Sequence, residues 1–255
     1  MHVPSVLCTR ASRHDAARSG GHWYDAAALD VDPWALVGYE STDAVGYAQF
    51  ASCVRTGFDL SADPAALVGR AFIVHSNDGR RVSCGLIAAA PEGYAPTTLT
   101  ADIAPIPGAE LHSEATTGTV SVLTDLVGGV PDGVCYVGYA EGLEPDVESY
   151  LLGTGSQNCN ATNGCGAHIH SGTGCEDADA QGGHYHDETE LSEDPWALES
   201  YYRTDGEGVA ALYGCAITGR GASNYDMRPF IVHATDGGRL LCGLLRIDDG
   251  LESDA

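Results

Sequence analysis

The sequence predicts an all-β fold: a Greek-key β-barrel or sandwich, with one complete domain and one N-terminally truncated copy. Three observations predict it. Short runs rich in Val, Ile, Leu, Thr and Tyr recur along the chain, punctuated by Gly, Asp, Asn and Pro. No long stretch has the period of an amphipathic helix. Several words occur twice at a nearly constant offset.

In order, the strand candidates of the complete domain are TLTADIAPI (98–106), TVSVLTDLV (119–127), GVCYVGYAEGL (133–143), AHIHSG (167–172), GVAALYGCAITG (208–219), RPFIVHA (228–234) and RLLCGLL (239–245). Some alternate apolar and polar residues. Others are mostly apolar, as strands buried in a sandwich core can be. DGEG (205–208) and TDGGR (235–239) are turn signals, because Gly and Asp tolerate the backbone angles that tight turns need. So many short strands in about 150 residues point to an antiparallel sandwich or barrel.

The repeat sets the domain boundaries. GGH at 20 and 182 and DPWAL at 32 and 194 share an offset of 162; FIVH at 72 and 230 and CGL at 84 and 242 share 158. Such an offset matches one ordinary domain, not a solenoid unit. We expect a truncated copy over 1–92 holding only a C-terminal half, a complete domain over 95–247, and an acidic tail over 248–255. The expectation follows that Met1 is not the natural start, or that the chain is a fragment of a longer tandem array. Other repeats of the same chain are then candidate partners. The first residues contain no apolar stretch long enough for a signal peptide, and no segment has the apolar length of a membrane helix.

Composition narrows the setting. A formal charge of −24 argues against nucleic acid, whose phosphates need a basic surface, and against anionic membranes. Most acidic residues read as a solvated surface. The cysteine count, 9, is high for a reducing compartment. Asn160-Ala161-Thr162 is a glycosylation acceptor. Together these predict an extracellular protein.

Chemistry concentrates in the histidines. His168 and His170 are two apart, so on a strand both face one side and can grip one ion. His184 follows a loop, and His233 lies on a later strand. Imidazole suits zinc and copper alike, while four in a tetragonal arrangement suit Cu(II).

Here the residues reach a resemblance. GAHIHSG resembles the HVH strand of the Cu/Zn superoxide dismutase family. Cys175 followed by GGHYH resembles its Cys…GPHFN loop, GEGVAALYGCAITG its DGVA strand, and FIVHATDGGRLLCGLL its closing strands. The words stand in the family's order over most of 97–247. The resemblance implies a Greek-key barrel, copper held by His168, His170, His184 and His233, Arg239 as an anion-guiding cation, and a Cys175–Cys242 disulfide. It implies copper-dependent dismutation of superoxide to dioxygen and hydrogen peroxide, with His184 able to supply a proton.

The departures refine this. After His184 the chain reads YHDETELSEDPWALESYY, with only His186 in place of the family's further zinc histidines. Only ATDGG separates His233 from Arg239, where the family has a long charged loop. Both losses resemble the copper-only branch, which includes secreted tandem repeats, so zinc is not expected. In that branch a carboxylate takes over the orienting role of zinc. Asp194, Glu193 and Glu199 are candidates, Asp194 having a repeat counterpart in Asp32. DPW reads equally well as a tight turn with a packed Trp.

Other cysteines stay open at this point. Cys84 matches Cys242, but Arg13 stands where its partner should be and Cys8 is out of register, so Cys84 is unpaired or mispaired. Cys53 and Cys215 read as buried thiols. Cys159 and Cys165 bridge the insertion before HIH, or pair with Cys135. The first copy keeps His22 and His75, with Arg81 at the place of Arg239. It has no strand bearing an HxH pair, and His2 and His14 are not at equivalent places, so no complete copper site is expected there. The alternative to an enzyme is a secreted β-sandwich repeat for adhesion, structure or copper sequestration.

Overall fold

The computed structural model describes residues 20–38, 42, 46, 54–60, 62–90, 92–94, 96–109, 111–113, 116–124, 133–147, 159–197, 199–201 and 203–247. The expectations for His2, Cys8, His14, Cys53 and the tail 248–255 fall outside these residues. Contacts divide the chain into two compact units, residues 1–35 with 54–94 and residues 36–53 with 95–255.

In the second unit, the described residues form eight antiparallel strands that curl into a nearly closed barrel. They are β3 (Thr97–Pro105), β4 (Thr117–Thr124), β5 (Gly133–Glu141), β6 (Ala167–Ile169), β7 (Ala210–Ile217), β8 (Pro229–His233), β9 (Arg239–Leu244) and β10 (Arg246–Ile247). The first seven match the runs seen in the sequence; β10 is too short to have left a pattern. Their order is β6-β8-β9-β3-β4-β5-β7, with β10 pairing beside β3. The neighbours β9–β3, β5–β7 and β6–β8 are not consecutive, so the sheet is not a simple meander.

Strand alternation builds the core. Leu99, Ala101 and Ile103 on β3, Val120 and Val122 on β4, Tyr136 and Ala140 on β5, and Leu212 and Ala216 on β7 pack into one buried cluster. Ala167 and Ile169 on β6, with Phe230 and Val232 on β8, join it. Burying one such large side chain contributes about 1.5–3 kcal/mol. The intervening residues, His168, Ile231 and His233, must therefore face outward. Ile231 packs there with Ile106 and Cys242 in a smaller cluster. The histidines thus sit on the outside of the barrel, under the connection that follows β6.

That connection contains one short helix, α1 (Ala178–Gln181), whose start is capped by the Asp177 carboxylate accepting from Ala180 N–H at 2.9 Å. The Cys175–Cys242 disulfide ties it to β9.

The thiol reading of Cys215 is corrected: it is bonded to Cys135. These residues face each other directly in the β5–β7 register, which sequence alone does not reveal. Cys159 pairs with Cys165, closing the insertion and excluding Cys135 as its partner. Cys84 is also disulfide-bonded, not an unpaired thiol.

In the first unit, β1 (Ala71–His75) and β2 (Arg81–Leu86) pair antiparallel, with a register slip between Val74 and His75. The same slip occurs between Val232 and His233 in the β8–β9 pair.

Candidate metal centre

His168, His170, His184 and His233 come together, each offering one nitrogen, and the four nitrogens lie within 4.8 Å of one another. β6 and β8 pair directly, placing His168 opposite Ile231. His184 arrives from the loop, held by a bridge to His170 and by Tyr185 N–H donating to Ile169 O at 2.9 Å. Gly166 makes room for the cluster, because a Cβ there would stand 2.2 Å from His168 Cε1.

Each ring has one nitrogen turned away from the cluster and fixed by an acceptor. His168 Nε2 donates to Glu199 O at 2.8 Å, His170 Nδ1 to Gly182 O at 3.0 Å, and His233 Nδ1 to Gly237 O at 2.9 Å. His184 Nδ1 donates to Asp194 Oδ2 at 2.5 Å. Carbonyl and carboxylate oxygens only accept, so these nitrogens carry the hydrogens. The other four, His168 Nδ1, His170 Nε2, His184 Nε2 and His233 Nε2, are buried without hydrogen-bond partners. Left so, each would cost about 1–3 kcal/mol. One ion accepting four lone pairs removes that cost at once, so the donor set fits a metal.

Burial favours the neutral form of three rings, His168, His170 and His233, as ligation requires. Burial pushes the His170 pKa down to about 3, against the opposing pull of the Gly182 carbonyl and with help from the Arg239 charge. Burial likewise lowers His233 to about 4, and it holds His168 well below the usual imidazole range.

Asp194 is the carboxylate that reaches a histidine of the cluster. Its other oxygen accepts from Trp196 N–H at 2.9 Å, and the buried Trp196 ring donates to Tyr185 O at 2.9 Å. The DPW word is therefore both a packed turn and the holder of His184. Glu199 contributes through its backbone carbonyl to His168, while its carboxylate accepts from Tyr136 OH at 3.2 Å. Glu193 is exposed. His186 Nδ1 lies 3.8 Å from Asp194 Oδ1, beyond hydrogen-bond range.

Arg239 is half-buried beside the cluster. Its guanidinium donates to Gln181 Oε1 at 2.8 Å and to Gly182 O at 2.7 Å. Gly182 O thus serves both Arg239 and His170. Gly182 itself has φ 71°, and a Cβ there would lie 2.6 Å from Ser171 Oγ, so only glycine fits. Gln181 also donates to Cys175 O at 3.0 Å, linking the arginine to the disulfide. Sequence reasoning missed Gln181, since a glutamine in a loop carries no signal until its burial is known. Among the described residues, no other group of three or more His, Cys, Asp or Glu side chains is placed to hold an ion.

The first unit repeats these contacts in part. His22 Nδ1 meets Asp32 Oδ2 at 2.6 Å, and Trp34 donates from N to Asp32 Oδ1 and from Nε1 to Trp23 O at 2.8 Å. His75 Nδ1 donates to Gly79 O at 2.9 Å, and Arg81 to Gly20 O at 3.0 Å.

Neither protein-family models nor curated proteins give a match to this chain.

Proposed function

We propose that this protein is a copper-dependent superoxide dismutase of the copper-only kind, acting outside the cell. The observation that carries this reading is the set of four buried, inward-facing imidazole lone pairs next to a tethered arginine. Four imidazoles suit Cu(II). His168, His170, His184 and His233 would hold the ion. Bound copper would supply one-electron chemistry between its two oxidation states, converting superoxide to dioxygen and hydrogen peroxide.

The chain's own groups do the rest. Arg239 puts a fixed cation beside the centre, drawing in a small anion that the overall charge of −24 would otherwise repel. Asp194 holds His184 in one tautomer and orientation. His184 is the least buried of the four histidines, and its Nε2, when not held by the ion, would be the atom that carries a proton to the reduced oxygen species. The Cys175–Cys242 disulfide and Gln181 keep Arg239 and the loop in place. The three disulfides whose both halves lie among the described residues favour an oxidising compartment. The matched contacts around His22 and His75 support descent of both units from one ancestor, the first keeping half of the ligand set.

The test is copper loading followed by a superoxide-consumption assay. The loaded chain consumes superoxide, and His168→Ala abolishes both binding and turnover. Copper bound by the four histidines without superoxide consumption would instead establish sequestration.

A further inference from the structure

Glu144 lies in the loop after β5, far in sequence from the four histidines. Its Oε1 accepts from both the N–H and the hydroxyl of Thr235, each at 3.0 Å. Thr235 is in the turn that follows His233. Within it, Ala234 N–H donates to Gly238 O at 2.7 Å and Gly237 N–H to Ala234 O at 3.1 Å. The same turn presents Gly237 O to His233 Nδ1. Tyr201 fixes the near end, its hydroxyl donating to His233 O at 3.1 Å. That hydroxyl stays protonated, because burial and then the charge of Glu144 raise its pKa.

Turn formation alone does not explain this glutamate. In the first unit the matching turn is held locally, by Ser76 Oγ donating to Asp78 at 2.5 Å and Ser76 N–H to Arg80 O at 2.8 Å. His75 still meets Gly79 O there at 2.9 Å. Stability is no better an explanation. Glu144 Oε2 is buried with no hydrogen-bond partner, which costs free energy an apolar residue would not incur. What distinguishes the second unit's turn is that it serves the four-histidine cluster.

We propose that Glu144 is a positioning residue for the metal centre, acting through Thr235 to fix the Gly237 carbonyl on His233 Nδ1. The proposal rests on reading the four histidines as a copper site. That hydrogen bond sets the ring's orientation and basicity, so loosening it weakens and reshapes the site.

The test uses the full chain and Cu(II) alone, read by competition affinity and by electron paramagnetic resonance. Glu144→Ala lowers Cu(II) affinity by about 10- to 100-fold and shifts the resonance parameters. Glu144→Gln keeps an acceptor for Thr235 and restores most of both. If Glu144→Ala fails to fold, Thr235→Val, which removes only the hydroxyl donor, shifts the spectrum in the same direction. Unchanged affinity and spectrum in the folded Glu144→Ala chain, or in Thr235→Val where it stands in, overturn the proposal. So does a Glu144→Gln chain as impaired as Glu144→Ala, since charge would then be acting instead of the hydrogen bond. His168→Ala separates the two levels. If it abolishes Cu(II) binding while Glu144→Ala changes nothing, only the positioning role falls; if it leaves binding intact, the copper reading falls with it.

Discussion

Asp194→Asn tests the metal centre with almost no change in shape. Asp194 makes two hydrogen bonds, accepting from Trp196 N–H through Oδ1 and from His184 Nδ1 through Oδ2. In the variant the amide oxygen still serves Trp196, which leaves the NH₂ group facing His184 Nδ1. Two donors cannot bond, so the ring moves to its other tautomer and accepts at Nδ1. Nε2 then carries a hydrogen into the cluster, and one of four lone pairs is lost. A charge-assisted hydrogen bond of this kind contributes about 1.5–3 kcal/mol, which alone corresponds to roughly 10- to 150-fold in affinity. The affected quantity is Cu(II) binding, measured at neutral pH by competition with a chelator of known affinity. The expected loss is about 10- to 100-fold, with a changed resonance spectrum. Thermal stability of the metal-free chain changes little, because the buried Trp196 keeps its contacts. Unchanged affinity and an unchanged spectrum would refute the tautomer argument.

Arg239→Ala keeps copper but slows superoxide consumption by roughly tenfold, and the remaining rate depends less on salt; stopped-flow assays at two ionic strengths check both. Removing Cys135 and Cys215 together, a pair separated by 80 residues, lowers stability by up to about 4.5 kcal/mol in the chain-entropy model, read by denaturant titration. The metal-free chain loses stability in acid. His170, with a pKa of about 3 against an ordinary 6.5, and His233, at about 4, stay neutral in the fold while the unfolded chain takes up protons. Their contribution is whole above pH 6.5 and falls as pH drops toward 3–4. Stability rising as pH falls through that window would contradict the assignment.

The strands were legible because they are short, rich in β-branched residues and bounded by turn signals. β10, with only Arg246 and Ile247, was too short to show a period. The histidines were legible because two lie two apart, His168 on β6 and His170 just past its end, and the others stand in repeated words. The Cys135–Cys215 pair was not, since it depends on the β5–β7 register, and register is set by packing between segments distant in sequence. Asp194 could be named only as one of three acids, because choosing among them needs the path of a loop. Glu144 and Tyr201 left no mark at all: each acts on a turn far away in sequence, through a carboxylate and a hydroxyl that look ordinary on their own strands and loops.

Along β6 and β8, neighbouring residues answer to different demands. Ala167, Ile169, Phe230 and Val232 fill the barrel, while His168, His170 and His233 face the loop outside it. Selection can therefore act on the ligands and on the barrel interior almost independently. A lineage could trade one histidine for another side chain, and so change or lose its ion, without having to refill the hydrophobic interior. The scaffold would outlive its chemistry, free to be inherited as a spacer, an adhesive module or the starting point for a different metal.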